Sequence, residues 1–216
     1  MRARQAPCRD AAEHEGTLVI AIVDYQAGNL ASVKKAVEHL GFQVEITADP
    51  AAVRAAERIV LPGVGHFSTM QRLADTGLRD AIRDAIGRGV PFLGICLGMQ
   101  WLFAGSTEFP DVKGLGLFDG MCERFPNGVK SPHVGWNDMV AHGNSRLLSN
   151  MPGGAFVYFT HSYRAPVVEG VVAMAKYGDS FAAAVERRNV FGVQFHPEKS
   201  GEAGLQILKN FCEAPC

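Results

Sequence analysis

The sequence predicts an α/β fold: an open, twisted, mixed and mostly parallel central sheet with helices on both faces and an antiparallel flank. Three observations predict it. Between residues 18 and 103, short apolar runs alternate with stretches of helical spacing, the cadence of a parallel sheet covered on both sides. After Gly120 the rhythm changes to closely spaced strand-like runs with Gly or Asn between them, which suits hairpins. No internal repeat or low-complexity linker divides the 216 residues, so one domain is expected.

The elements follow in order. Residues 18–23 are continuously apolar, as in a strand buried on both faces. Gly28 and Asn29 precede Leu30, Val33, Val37 and Leu40 at helical spacing, closed by Gly41, with Asn29 or Ser32 as N-cap. A short alternating stretch, 43–47, leads to a helical piece begun by Pro50. Residues 58–61 form a strand broken by Pro62-Gly63-Val64-Gly65. Helical patterns over 70–73 and 78–86 end at Gly87 and Gly89. Residues 91–95 make a short buried strand that runs straight into a helix through Trp101 and Phe103. Strand-like runs at 154–160, 171–176, 181–186 and 190–195 then precede a closing helix, 201–211. Residues 1–16 are polar and charged and read as a disordered extension, leaving 17–212 as the domain.

Composition excludes several classes of function. A net charge of -1 provides no global field for nucleic acid or an anionic membrane. No run approaches the roughly 20 apolar residues of a membrane span, and the N-terminus lacks a signal-peptide pattern. The five cysteines, Cys8, Cys96, Cys122, Cys212 and Cys216, are odd in number and irregularly spaced, which argues against a disulfide framework or a zinc site. A soluble, cytoplasmic chain without a bound metal or cofactor is expected.

Chemistry concentrates at three places. Gly94-Ile95-Cys96-Leu97-Gly98 lies between a buried strand and a helical pattern, the cysteine form of a nucleophile elbow. The glycines permit the close backbone approach, and a helix start beside the sulfur favours thiolate. An inert buried thiol is the plain alternative. In Gln194-Phe195-His196-Pro197-Glu198, a strand period of two places His196 and Glu198 on one side, so that a carboxylate can orient an imidazole that activates a thiol. A structural histidine is the ordinary reading of His196 alone. Pro62-Gly63-Val64-Gly65 follows a strand and can aim N–H groups at a developing oxyanion, with Leu97 N–H as second donor; a simple turn explains it equally well by itself. Gln100, one turn after Cys96, faces the same way and suits a polar substrate end.

Together G-I-C-L-G-M-Q, F-H-P-E and P-G-V-G resemble the class I, triad-type glutamine amidotransferases. Asp24-Tyr25 with Gly28-Asn29-Leu30, and the segments 62–67, 130–137, 159–163 and 194–201, are similar to the histidine-biosynthesis branch, and the likeness runs from residue 18 to residue 211. The resemblance implies Cys96 as nucleophile, His196 as base and then acid, and Glu198 as its orienting carboxylate. It implies Val64 and Leu97 as oxyanion donors, and Gly63, Gln100, Ser162 and Tyr163 at the substrate. It places Asn29, Tyr158 and Lys199 at an interface with a (β/α)8-barrel cyclase subunit, forming a heterodimer that receives ammonia made from glutamine. Gln26 stands where the family usually has glycine, and Ala27 where a larger residue is common. A glutaminase serving another synthase, a catalytically silent glutamine-binding subunit and a cysteine peptidase are the competing readings.

Overall fold

A computed structural model describes residues 19–151 and 153–215. The extension expected over residues 1–16 lies outside the described residues, as does the start of the expected domain. In chain order the elements are β1 (Val19–Val23), α1 (Leu30–His39), β2 (Gln43–Thr47), α2 (Pro50–Ala55), β3 (Arg58–Gly63), α3 (Gln71–Asp75), α4 (Leu78–Gly87), β4 (Phe92–Cys96) and α5 (Leu97–Gln100). They continue as β5 (Gly105–Ser106), β6 (Met121–Arg124), β7 (His133–Ala141), β8 (Ala155–His161), β9 (Tyr163–Arg164), β10 (Val171–Tyr177), β11 (Asp179–Arg187), β12 (Val190–Val193) and α6 (Gly201–Glu213).

Nine strands form one sheet in the order β2-β1-β3-β4-β12-β11-β10-β7-β8. The first five run parallel, and the remaining pairings, from β12–β11 to β7–β8, are antiparallel. The predicted flank is therefore nearly half of the sheet. Alternation of side chains gives each central strand two apolar faces. Ile20, Ile22, Val60, Leu93 and Ile95 pack with Val33 and Val37 of α1 and Ile207, Leu208 and Phe211 of α6. Val23, Ile59, Leu61 and Phe92 pack on the other side with Val53, Leu73, Leu78 and Ile82 from α2, α3 and α4. Helices thus cover both faces.

Two expectations are corrected. The elbow helix does not continue through Trp101 and Phe103; α5 ends at Gln100. The carbonyls that would extend it are taken elsewhere: Trp101, Leu102 and Phe103 accept from the N–H groups of Leu115, Leu117 and Gly116 at 2.7, 2.8 and 3.1 Å. Asn29 does occupy the N-cap position of α1, but its side chain makes no capping bond. The departure at Gln26 also acquires a meaning: its φ is 64°, in the left-handed region where glycine is normally favoured. Its N–H donates to Asp24 Oδ1 at 2.8 Å, and its carbonyl accepts from Arg72 Nη1 at 3.1 Å, which holds the strained turn.

Candidate active site

β4 delivers Cys96 at the carboxyl end of the parallel strands, with φ 54° and ψ -105°. Such a conformation is costly for a non-glycine residue and marks a site that the surrounding packing holds in place. That packing is visible in the flanking glycines. A Cβ on Gly94 would meet the Gly98 carbonyl oxygen at 2.5 Å, and one on Gly98 would fall on the Leu61 carbonyl oxygen. Strand and helix therefore touch backbone to backbone around the sulfur.

Strand register brings the other groups to it. β3 pairs with β4 so that Gly63 lies opposite Cys96, which sets the Val64–Gly65 turn beside the elbow. β12 pairs on the other side of β4, Val193 opposite Ile95, so the chain emerging from β12 carries Gln194 and His196 to the same end. His196 Nδ1–H donates to Glu198 Oε1 at 2.9 Å. The pair meets through a tight 3-10 turn over Pro197–Lys199 rather than through continued strand alternation.

Burial lowers the affinity of the imidazole for a proton. Hydrogen bonding and charge from Cys96 and Glu198 outweigh it, pushing His196 up from 6.5 to about 9. Among the described residues its Nε2 is buried without a well-formed hydrogen bond, close enough to the sulfur for that coupling. Thiol, imidazole and carboxylate thus form one electrostatic unit.

Residues 21–214 match the family model described as glutamine amidotransferase class-I. The chain is a class I glutamine amidotransferase. Imidazole glycerol phosphate synthase subunit HisH of Moorella thermoacetica is 50% identical over 197 residues, covering 90% of this chain and 94% of that protein. The protein of the same name from Methanothermobacter thermautotrophicus is 48% identical, covering 90% of this chain and 98% of its own. At this similarity the chain belongs to the HisH family of amidotransferases. Among solved structures, PurLQS from Thermotoga maritima superposes with a TM-score of 0.71 at 22% identity, over 91% of this chain and 98% of that one. A crystal structure of glutamine amidotransferase gives 0.70 at 20% identity, over 89% and 98%. Both share the fold.

In this amidotransferase a cavity of about 230 Å³ opens on Cys96, lined by Val64, Gly65, Cys96, Leu97, Gln100, Glu108, Pro132, Thr160, His161, Ser162 and Tyr163. Its wall therefore includes Val64, Cys96, Leu97, Gln100, Ser162 and Tyr163, all expected from the sequence. Gly63 lies behind the wall, where a Cβ would meet Tyr25 Oη at 2.5 Å and Leu97 Cβ at 2.8 Å. His196 and Glu198 support the sulfur from outside the cavity lining. Asn29 Nδ2 donates to Glu198 Oε1 at 3.2 Å, so this residue braces the carboxylate instead of capping α1.

The wall rests on a polar network that sequence reasoning missed. Tyr163 carbonyl accepts from Gln100 Nε2 at 2.8 Å and from His161 Nδ1 at 2.9 Å. Because a carbonyl only accepts, His161 carries its proton on Nδ1, and its Nε2 accepts from His133 Nδ1 at 3.3 Å. Both rings are buried, which holds His133 down at about 4 and His161 at about 3, and both are neutral at pH 7. Glu108 is the carboxylate of the cavity wall; it accepts from Phe67 N–H at 2.7 Å, which ties the loop after Gly65 to the pocket. Nothing in its local sequence, a polar turn between Thr107 and Phe109, marked it.

β8 connects this site to an exposed apolar face. Tyr158 carbonyl accepts from His196 N–H at 2.9 Å, and Tyr158 N–H donates to Ser200 Oγ at 2.9 Å. Period-two alternation puts Phe156, Tyr158 and Thr160 on one face of β8, opposite Asp138, Trp136 and Val134 of β7. Trp136 is 57% exposed and Phe156 60%, with Lys199 Nζ 5.9 Å from the Tyr158 ring. Among the described residues, no helix is long and apolar enough to cross a membrane.

Proposed function

We propose that this chain is the glutaminase subunit of imidazole glycerol phosphate synthase, acting through Cys96, His196 and Glu198. The observation that carries the reading is the strained cysteine facing a small polar cavity, coupled to a buried imidazole and carboxylate behind it. Glutamine binds with its amide carbon at the sulfur. Glu108 and Gln100 Oε1 receive the α-ammonium group, while donors at Ser162 and Tyr163 receive the α-carboxylate. Both Nε2 hydrogens of Gln100 are already committed to Tyr163 and Gln194, so its oxygen is the atom left for substrate.

The Cys96 thiol gives its proton to His196, whose imidazole, raised to about 9, holds it at neutral pH. The thiolate adds to the amide carbon, and the N–H groups of Val64 and Leu97 stabilise the oxyanion. His196 then gives its proton to the departing nitrogen; the C–N bond breaks, and ammonia leaves a glutamyl thioester on Cys96. Water, deprotonated by the now neutral His196, releases glutamate and restores the protonated imidazole beside the sulfur. Glu198 keeps the imidazole in one tautomer throughout.

Ammonia in water becomes ammonium and loses its nucleophilicity, so release calls for a shielded path. The apolar face of β7 and β8, with Tyr158 and Lys199 beside it and Asn29 nearby at Glu198, is the surface on which a (β/α)8-barrel cyclase docks to form a heterodimer. The relatives' name supports that partner, and the bond from His196 to Tyr158 links the docking strand to the triad. In this reading residues 17–212 act as a single amidotransferase domain in a cytoplasmic biosynthetic enzyme.

The test is glutamate release from glutamine by wild type and Cys96→Ala, each with and without the cyclase and its nucleotide ligand. Wild type is expected to respond to the loaded cyclase, and Cys96→Ala to be inactive throughout. Peptide cleavage without glutaminase activity, or turnover by Cys96→Ala, would overturn the reading.

A further inference from the structure

We infer that Gln194 is a positioning residue for the nucleophile: its side-chain amide donates to the Cys96 sulfur, favours the thiolate, and couples that charge to the substrate-binding wall. The inference rests on Cys96 being the nucleophile. It begins with register. Val193 sits opposite Ile95 where β12 pairs with β4, so the next residue, Gln194, comes alongside Cys96. Its N–H donates to Ala183 carbonyl at 2.9 Å, which fixes the backbone, and the residue is wholly buried.

The orientation of the amide follows from a chain of donors and acceptors. Gln100 Nε2 donates to Tyr163 carbonyl at 2.8 Å, and this oxygen can only accept, so Gln100 must point its NH2 group this way. The second hydrogen of the same nitrogen goes to Gln194 Oε1 at 3.1 Å. Gln194 therefore presents its oxygen to Gln100 and its Nε2 to the Cys96 sulfur, 3.7 Å away. A buried amide N–H aimed at sulfur gains most when that sulfur is charged.

The elbow helix is a poor substitute for this donor. α5 has four residues, too few for peptide dipoles to accumulate much charge at its start. Thr160 carbonyl lies 3.9 Å from the sulfur and would accept from a thiol, so it favours the protonated form. Gln194 and the His196 imidazole oppose it.

The arrangement also links recognition to reactivity. Substrate that engages Gln100 Oε1 or shifts the Tyr163 carbonyl pulls on the same amide that holds Gln194 against the sulfur. Occupancy of the cavity is thereby transmitted to the donor on the nucleophile.

The test is the pH dependence of Cys96 alkylation by iodoacetamide in the full chain, followed by peptide mass spectrometry, for wild type, Gln194→Leu and Gln194→Glu. A lost hydrogen bond to a charged group predicts an upward shift of the thiol midpoint by about 1 to 2 pH units in Gln194→Leu. Gln194→Glu, which keeps the shape and the acceptor for Gln100, is expected to shift at least as far, and it carries the same test if the leucine variant does not fold. Wild-type-like midpoints in the folded variants overturn the inference. That result alongside an inactive Cys96→Ala removes the Gln194 role alone, whereas turnover by Cys96→Ala removes the reading beneath it.

Discussion

Asn29 Nδ2 and His196 Nδ1 converge on one oxygen, Glu198 Oε1, at 3.2 and 2.9 Å. Among the described residues, the other carboxylate oxygen is buried without a hydrogen-bond partner. Asn29 is therefore the neutral donor that keeps the carboxylate aimed at the imidazole. Asn29→Ala is expected to lower the glutaminase rate roughly tenfold, the equivalent of about 1.4 kcal/mol. Asn29→Asp, which sets a second carboxylate against the first, is expected to cost more. Rates equal to wild type in both would remove Asn29 from the machinery.

His196 makes a pH prediction of definite sign. Its folded-state pKa, about 9, lies above its ordinary value of 6.5. Such a group adds stability that is complete below pH 6.5 and is lost as pH rises through about 9. Thermal unfolding of wild type and His196→Asn, compared from about pH 6 to about pH 10, is expected to show a difference that is largest at the acid end and shrinks toward alkaline pH. A difference that grows with pH would contradict the ion-pair assignment.

The buried pair His133 and His161 behaves in the opposite sense. Burial holds their pKa values at about 4 and about 3, below the ordinary 6.5, so the unfolded chain takes up protons first as pH falls. Their contribution is present above pH 6.5 and is lost progressively on acidification. Wild type should lose melting temperature between about pH 7 and about pH 4, and His133→Phe should flatten that decline. His133 stacks on Tyr177 with ring centroids 4.0 Å apart, so phenylalanine keeps the ring contact while removing the titration. An unchanged acid slope would show that other groups govern it.

The elbow glycines separate close packing from simple backbone freedom. Gly98→Ala drives a methyl group into the Leu61 carbonyl and is expected to destabilise the fold by about 3 kcal/mol or more. Gly87, in α4, has open space where a Cβ would stand, with no tertiary neighbour within 4 Å among the described residues, and Gly87→Ala should be neutral or stabilising by up to about 1 kcal/mol. Denaturant unfolding of the two variants decides it; equal stability would mean the elbow relaxes more easily than its contacts suggest.

Much of the site was legible because the relevant signals are local. The strand into Cys96 is continuously apolar, the glycines stand two residues to either side, and the chemistry of His196 and Glu198 lies within three residues. Other features were not legible because long-range partners compete with local preference. Helical spacing through Trp101 and Phe103 is genuine, yet the backbone of residues 115–117 captures the carbonyls that would continue the helix. Asn29 has the right chemistry for an N-cap, yet a carboxylate 169 residues away takes its donor. Glu108 carries no local signature, and Gln194 stands in the His196 motif with no role visible there; both roles exist only once distant strands meet.

By itself, the sequence determined the class of the sheet, the strained bend at Cys96 and the chemical groups available for catalysis, since periodicity, glycine placement and side-chain type act over a few residues. Only the tertiary structure decided which groups share a bond: Gln194 with the sulfur, Asn29 with Glu198, His161 with the pocket wall. Hydrogen bonds are short and directional, so their pairing waits on a strand register that no single segment contains.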